Sequence, residues 1–290
     1  MEDLQLLNQN GIESIKTLGQ GAFGRVYLSY HNELGIIAAK VMKIEKFDKR
    51  EWDAAGALSK PGFVCPFIMK YLLARQFQNE VVILMEYANA KSLDSIVKDK
   101  TQYLTSATYR ALSKQILEGI RMVHAVGLIH RDIKPENIMM HSANGNIIVK
   151  IADFGLAKVM LAGQMGVTSY GTPLNMAPEL VVRTVMATNK VDIYSVGTVL
   201  FQLATHEYPI KAMNVPDLQS KIKNSRIDRH PALKDDLQWD FLSKLLEFDP
   251  NKRLSAEQAL QHPYFTSPQA LAEITPEIIQ ITQNGVNSNI

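Results

Sequence analysis

The chain has 290 residues, 46% of them hydrophobic, with 31 basic and 29 acidic side chains for a net charge of +2. That length allows one large core or two lobes, and the balanced charge argues against nucleic acid or an anionic membrane as the main partner. A single cysteine, Cys65, precludes an internal disulfide, and nothing in the sequence resembles a metal cluster. The acidic start Met1-Glu2-Asp3, with neither a basic leader nor a glycine at position two, predicts a cytoplasmic or nuclear protein.

Residues 1–11 read as an N-terminal extension. Extended, partly alternating runs follow at 12–18, 26–30, 36–42, 68–77 and 81–87, with one helix predicted over 47–58 and a loop at 59–66 punctuated by Pro61, Gly62 and Pro66. Beyond residue 88 the period becomes helical. Residues 105–125 carry Tyr109, Leu112, Ile116, Ile120 and Val123 at three- and four-residue spacing, with Thr105 or Ser106 as N-cap. Residues 191–204 are apolar nearly all round but too short to span a bilayer, so they read as a buried core helix without membrane insertion. Residues 240–247 and 256–261 read as further helices. In the tail, 266–290, Thr275-Pro276-Glu277 opens a short helix at 276–283, stopped at Asn284-Gly285. It either docks on the preceding lobe or leads into a further domain. The class is α+β: a small β-rich lobe (12–87), a hinge at 86–89 and a larger helical lobe (90–265).

The densest chemistry is His130-Arg131-Asp132-Ile133-Lys134-Pro135-Glu136-Asn137. Phosphoryl transfer needs a carboxylate to orient an attacking hydroxyl, a cation near the moving group and an amide oxygen on a metal ion, and Asp132, Lys134 and Asn137 supply these in turn. Asp153-Phe154-Gly155 follows the β-like run 147–151, and Ala177-Pro178-Glu179 lies further on. Upstream, Gly19-Gln20-Gly21-Ala22-Phe23-Gly24 sits between two extended runs and so forms a hairpin tip, unlike a dinucleotide-binding turn, which opens a helix. Ala38-Ala39-Lys40 lies on the third run.

In order and spacing these motifs resemble those of eukaryotic protein kinases of the serine/threonine type, over residues 12–265. The C-terminal half is similar to NIMA-related, autophagy-initiating and calmodulin-dependent groups alike, which leaves the subfamily open. The resemblance implies a bilobal kinase fold that binds ATP and Mg²⁺. Leu18, Gly19, Gln20, Gly21, Ala22, Phe23, Gly24 and Val26 would cover the nucleotide, with Ala38 and Met139 on the two adenine faces. Met85, Glu86 and Ala88 resemble the gatekeeper and hinge. Lys40 would hold the α- and β-phosphates, positioned by Glu51 or, as the other candidate, Asp53. Asp132 would orient the hydroxyl and Lys134 would stabilise charge, while Asn137 and Asp153 would ligate Mg²⁺.

Lys134, with Gly171-Thr172-Pro173, implies serine and threonine residues of protein substrates as acceptors. Leu156, unbranched at Cβ, implies a preference for serine, and Thr168, beside Ser169, an activating phosphosite served by another kinase or by a second copy in trans. Glu179 with Arg253 resembles the family's buried ion pair, and Asp192 would hold the catalytic-loop backbone. Asn175 departs from the pattern, because an aromatic residue usually stands there and shapes the pocket for the residue after the acceptor. Glu136 matches one reader of substrate arginines, but Ser92 and Gln202 replace two others, so a strong arginine requirement is not expected. The alternatives are a pseudokinase that binds nucleotide and partners without catalysis, and a small-molecule kinase, against which Ala177-Pro178-Glu179 weighs.

Overall fold

The computed structural model describes residues 2–21, 24–47, 49–154, 158–159, 174–182, 187–224 and 226–273, with only the backbone described at 50, 51, 158, 159 and 224. The chain opens with helix α1 (Glu2–Gln9), then strands β1 (Ile12–Gly21), β2 (Gly24–His31) and β3 (Gly35–Lys43). Helix α2 (Lys49–Leu58) precedes β4 (Tyr71–Phe77) and β5 (Glu80–Glu86). These strands form one antiparallel sheet in the order β1-β2-β3-β5-β4.

Alternation along β3 gives the sheet two apolar faces. Ala38 and Met42 join the main core, whereas Ile37, Ala39 and Val41 join Tyr27, Val82 and Leu84 in a second cluster on the outer side. Lys40 therefore shares the inner face with Ala38 and Met42. Helix α1 covers the outer cluster and buries Leu7 completely, worth about 1.5–3 kcal/mol. The extension at 1–11, for which the sequence names no element, thus contains a helix. Eight residues are too few for a helix to persist on propensity alone, so packing supports it.

Two other expected boundaries shift. The helix predicted from 47 begins at Lys49, because the Phe47 N–H donates to Ile44 O and closes a separate 3-10 turn, Ile44–Lys46. The strand predicted from 68 begins at Tyr71. Ile68 instead bridges Ile151, with Met69 N donating to Ile151 O at 2.8 Å and Ile151 N to Phe67 O at 2.9 Å.

The second lobe is built on helices α3 (Asp94–Lys98) and α4 (Ser106–Ala125), followed by a short strand β6 (Leu128–Ile129) and the hairpin β7 (Ile138–Ala143) and β8 (Asn146–Ile151). Thr105 proves to be the cap of α4, accepting from Thr108 N. Gly119 lets α4 lie against β8, since a Cβ there would stand 2.6 Å from the Ile151 side chain. Asn144 and Gly145, with φ of 51° and 79°, make the two-residue turn that this dipeptide favours. Strand β9 (Lys158–Val159) pairs with β6.

The remaining described helices are α5 (Pro178–Val181), α6 (Lys190–Thr205), α7 (Val215–Asn224), α8 (Asp236–Leu245), α9 (Ala256–Leu260), α10 (Pro263–Thr266) and α11 (Pro268–Glu273). Helix α8 starts four residues before the predicted 240, because Asp235 caps it by accepting from Leu237 N and Gln238 N. Helix α6 is buried on nearly every side, as its sequence implies, and ends where His206 turns left-handed at φ 58°. Among the described residues no helix is long and apolar enough to cross a membrane. The tail helix expected at 276–283 lies outside the described residues.

Candidate active site

Strands β1 and β2 pair up to Gly21 and Gly24, which flank Ala22 and Phe23; those two lie outside the described residues. Gly24 has φ 152°, and a Cβ there would sit 2.2 Å from Val41 O, so only glycine fits against β3. Leu18, Gly19, Gln20 and Gly21 are exposed and Val26 is half-buried. In register Val26 lies opposite Lys40, and Ala38 opposite Met85. Ala38, Met85 and Ala88 are buried, and the half-buried Met139 bridges Ser92 across the cleft floor. Val26, Lys40, Ala38 and Met85 are thus neighbours on β2, β3 and β5, whereas Met139 belongs to the β7–β8 hairpin.

Lys40 Nζ lies 3.8 Å from Asp153 Oδ1, with the lysine side chain 11% exposed and the aspartate 31%. The Glu51 side chain, expected to position Lys40, lies outside the described residues. Glu86 is a joint. Its N–H donates to Lys70 O, and its Oε1 accepts from Lys70 N at 2.8 Å and from Lys150 Nζ, on β8, at 2.9 Å.

On the opposite side the loop from His130 to Asn137 converges on one carboxylate. Lys134 Nζ and Asn137 Nδ2 donate to Asp132 Oδ2 at 2.7 and 2.8 Å. Asn137 Nδ2 also reaches Asp132 O, and Ala152 N donates to Asn137 O, which ties the loop to the segment carrying Asp153. Arg131 and Asp153 both adopt positive φ, 69° and 64°. For residues with a Cβ this is a strained state, kept where surrounding bonds over-determine it.

At Arg131 those bonds come from Asp192 on α6, as expected. Its Oδ2 accepts from His130 N and its Oδ1 from Arg131 N, both at 2.8 Å, and His124 Nε2 lies 2.8 Å from Oδ2. Burial pushes the Asp192 carboxyl upward, but the bond from His124 and the charges of His124 and His130 outweigh it and hold the group below the usual carboxylate range. His124 is a contributor that the sequence reasoning passed over. Its one available signal is a polar residue on the α4 face that carries the apolar stripe.

His130 and Phe154 pack rather than react. The Phe154 ring is fully buried, 4.8 Å from His130 and 6.3 Å from Tyr71 of β4, so it joins both lobes. Asn175, the departure from the kinase pattern, accepts through Oδ1 from Thr198 Oγ1 and Gln202 Nε2 at 3.0 and 2.9 Å. Glu179 and Arg253 form the expected buried pair. Gly155, Leu156, Thr168, Ser169, Gly171, Thr172 and Pro173 lie outside the described residues.

The chain belongs to the protein kinase domain family, whose model matches residues 12–265. It is similar to serine/threonine-protein kinase 10 of Danio rerio, 34% identical over 266 residues, or 88% of this chain and 27% of that protein. It is 31% identical over 265 residues to sucrose non-fermenting protein kinase 1 of Fusarium virguliforme, covering 87% of this chain and 36% of that one. A serine/threonine protein kinase of Oryza sativa subsp. indica is 31% identical over 276 residues, covering 91% and 52%. The chain therefore spans about half or less of the length of these curated relatives.

Proposed function

We propose that the chain is a serine/threonine protein kinase that transfers the γ-phosphoryl group of ATP to hydroxyls of protein substrates. The observation that carries this reading is the convergence of Lys134 and Asn137 on Asp132 Oδ2, opposite the Lys40–Asp153 pair. Asp132 orients the acceptor hydroxyl and takes its proton. Lys134 offsets the charge that develops on the transferred group, and Lys40 holds the phosphates that stay behind. Asn137 and Asp153 offer an amide oxygen and a carboxylate, the hard oxygen donors that suit Mg²⁺ when substrate phosphates and water complete its shell. Bound there, Mg²⁺ neutralises phosphate charge. Strands β1 and β2 cover the nucleotide through Leu18, the glycines and Val26. Ala38 and Met139 sandwich the adenine, and the hinge at Glu86 and Ala88 reads its edge.

Serine and threonine are the acceptors we assign, from Lys134 beside Asp132 and from the printed names of the relatives. Control lies at Thr168 or Ser169, phosphorylated by an activating kinase or by a second copy in trans, with Arg131 and Lys158 to receive the charge. We place the protein in the cytoplasm or nucleus, where ATP and reduced thiols such as the lone Cys65 are found.

Transfer from γ-labelled ATP to peptide or protein acceptors tests the reading. Wild type labels serine or threonine, and Asp132→Asn, Lys40→Met and Asp153→Ala each lower the rate by orders of magnitude while circular dichroism stays native. Turnover near wild type in Asp132→Asn would remove the mechanism.

A further inference from the structure

Helix α1 lies before residue 12, outside the stretch that matches the kinase family, yet it is packed as part of the sheet lobe. Asp3, on its first turn, is 9% exposed and fastens it to β2. One oxygen, Oδ2, accepts from Arg25 Nη1 at 3.0 Å and from Tyr27 OH at 2.8 Å. Arg25 and Tyr27 are the outward residues on either side of Val26. Strand alternation turns Val26 to the opposite face, toward Lys40, its partner in register.

The same limb is held from a second direction at Gly24, where the chain leaves the glycine-rich tip and lies against Val41 O too closely for any side chain. Helix α1 from outside and β3 from the edge together fix the strand that leads from the tip to the adenine-facing valine. Burial of Leu7 keeps the helix seated for this contact.

We infer that Asp3 is a positioning residue for the nucleotide: helix α1 sets ATP affinity by holding β2, and with it Val26, over the pocket. The inference rests on the ATP-dependent function proposed above. A roof already held in place loses less conformational freedom when it closes on the phosphates, so fastening it strengthens binding without touching the reacting atoms. Asp3 and the candidate catalytic groups sit on opposite faces of the sheet, so the effect is carried by strand position.

The test uses the full chain, with calorimetric titration of ATP and Mg²⁺ beside steady-state kinetics. Asp3→Ala is expected to weaken ATP binding and raise the KM for ATP together, about three- to tenfold, the range expected for lost hydrogen bonds. Meanwhile kcat and the KM for peptide stay within about twofold. Tyr27→Phe, which keeps the ring buried, shifts ATP binding in the same direction by less, and serves alone if Asp3→Ala does not fold. The double variant should be no worse than Asp3→Ala, because both substitutions remove one shared contact. Unchanged ATP affinity in Tyr27→Phe and Asp3→Ala overturns the inference. So does a parallel loss of affinity, kcat, peptide KM and melting temperature, which would make α1 a general stabiliser. Wild type that binds no ATP would instead refute the proposed function, and this inference with it.

Discussion

Arg253 meets Glu179 end to end, with Nη1 and Nη2 2.8 and 2.9 Å from the two carboxylate oxygens and both side chains buried. The guanidinium also donates to the carbonyls of Glu247, Lys190 and Phe248, and lies 5.1 Å from the Tyr194 ring centroid. It thus ties α5 to the start of α6 and to the turn after α8.

Arg253→Met should destabilise the fold strongly, by about 3–5 kcal/mol, because it leaves the Glu179 carboxylate buried without its partner. The double variant Glu179→Met/Arg253→Met should recover a large part of that loss. Denaturant midpoints of the three proteins check this. A double variant no better than Arg253→Met would contradict it.

The Asn175 network predicts a combined effect on stability and specificity. Asn175→Ala removes the acceptor shared by Thr198 and Gln202, both buried, at a cost of about 1–2 kcal/mol. The same change should alter the preference for the residue after the acceptor, read with a positional-scanning peptide library. An unchanged preference would show that the network is purely structural.

Burial pushes the Cys65 thiol up to about 11. At pH 8 the native chain then carries roughly a hundredth of the thiolate of an unfolded one, whose thiol titrates near its ordinary value of 9.0. Iodoacetamide should therefore label native Cys65 about a hundredfold more slowly than the urea-unfolded chain at that pH. The native rate should rise close to tenfold per pH unit up to about pH 10. Equal native and unfolded rates at pH 8 would refute this.

Leu156 predicts faster phosphorylation of serine than of threonine in otherwise identical peptides. By resemblance to the kinase family, threonine's extra methyl would turn toward this side chain, which is unbranched at Cβ, and a displacement on the order of 1 Å can cost about a hundredfold in rate. Leu156→Val should narrow or reverse the gap. Identical kcat/KM for both acceptors, unmoved by the substitution, would reject it.

What the sequence disclosed, and what it hid, follows from how local each signal is. The cap at Thr105, one of two candidates, and the buried helix α6 are written in neighbouring residues, and they appear where the pattern puts them. Helix α1 was hidden because Leu7 is apolar for the sake of Tyr27, Ile37 and Leu84, none of them nearby in sequence. The start of β4 moved because Ile68 pairs with Ile151 rather than with its own sheet. In the cleft, the motif residues Asp132, Lys134 and Asn137 were legible as a group. The long-range bonds that hold them, from Asp192 and His124, depend on α4 and α6 lying side by side; only the Asp192 part could be carried over by resemblance.

Glu86 and Asn89 bracket the crossing between the lobes, and each is fastened to the β7–β8 hairpin: Glu86 to Lys150, and Asn89 to Ser142 by a reciprocal pair of amide bonds at 3.1 and 2.7 Å. The connecting strip is therefore fastened to the lower body as well as to the sheet, where Glu86 exchanges bonds with Lys70. If the hinge reads the adenine edge as proposed, these bonds to the hairpin would keep that edge close to Met139 while the rest of the sheet moved. A base seated there would stay at rest on its shelf, and opening would lift away the phosphate-covering roof first.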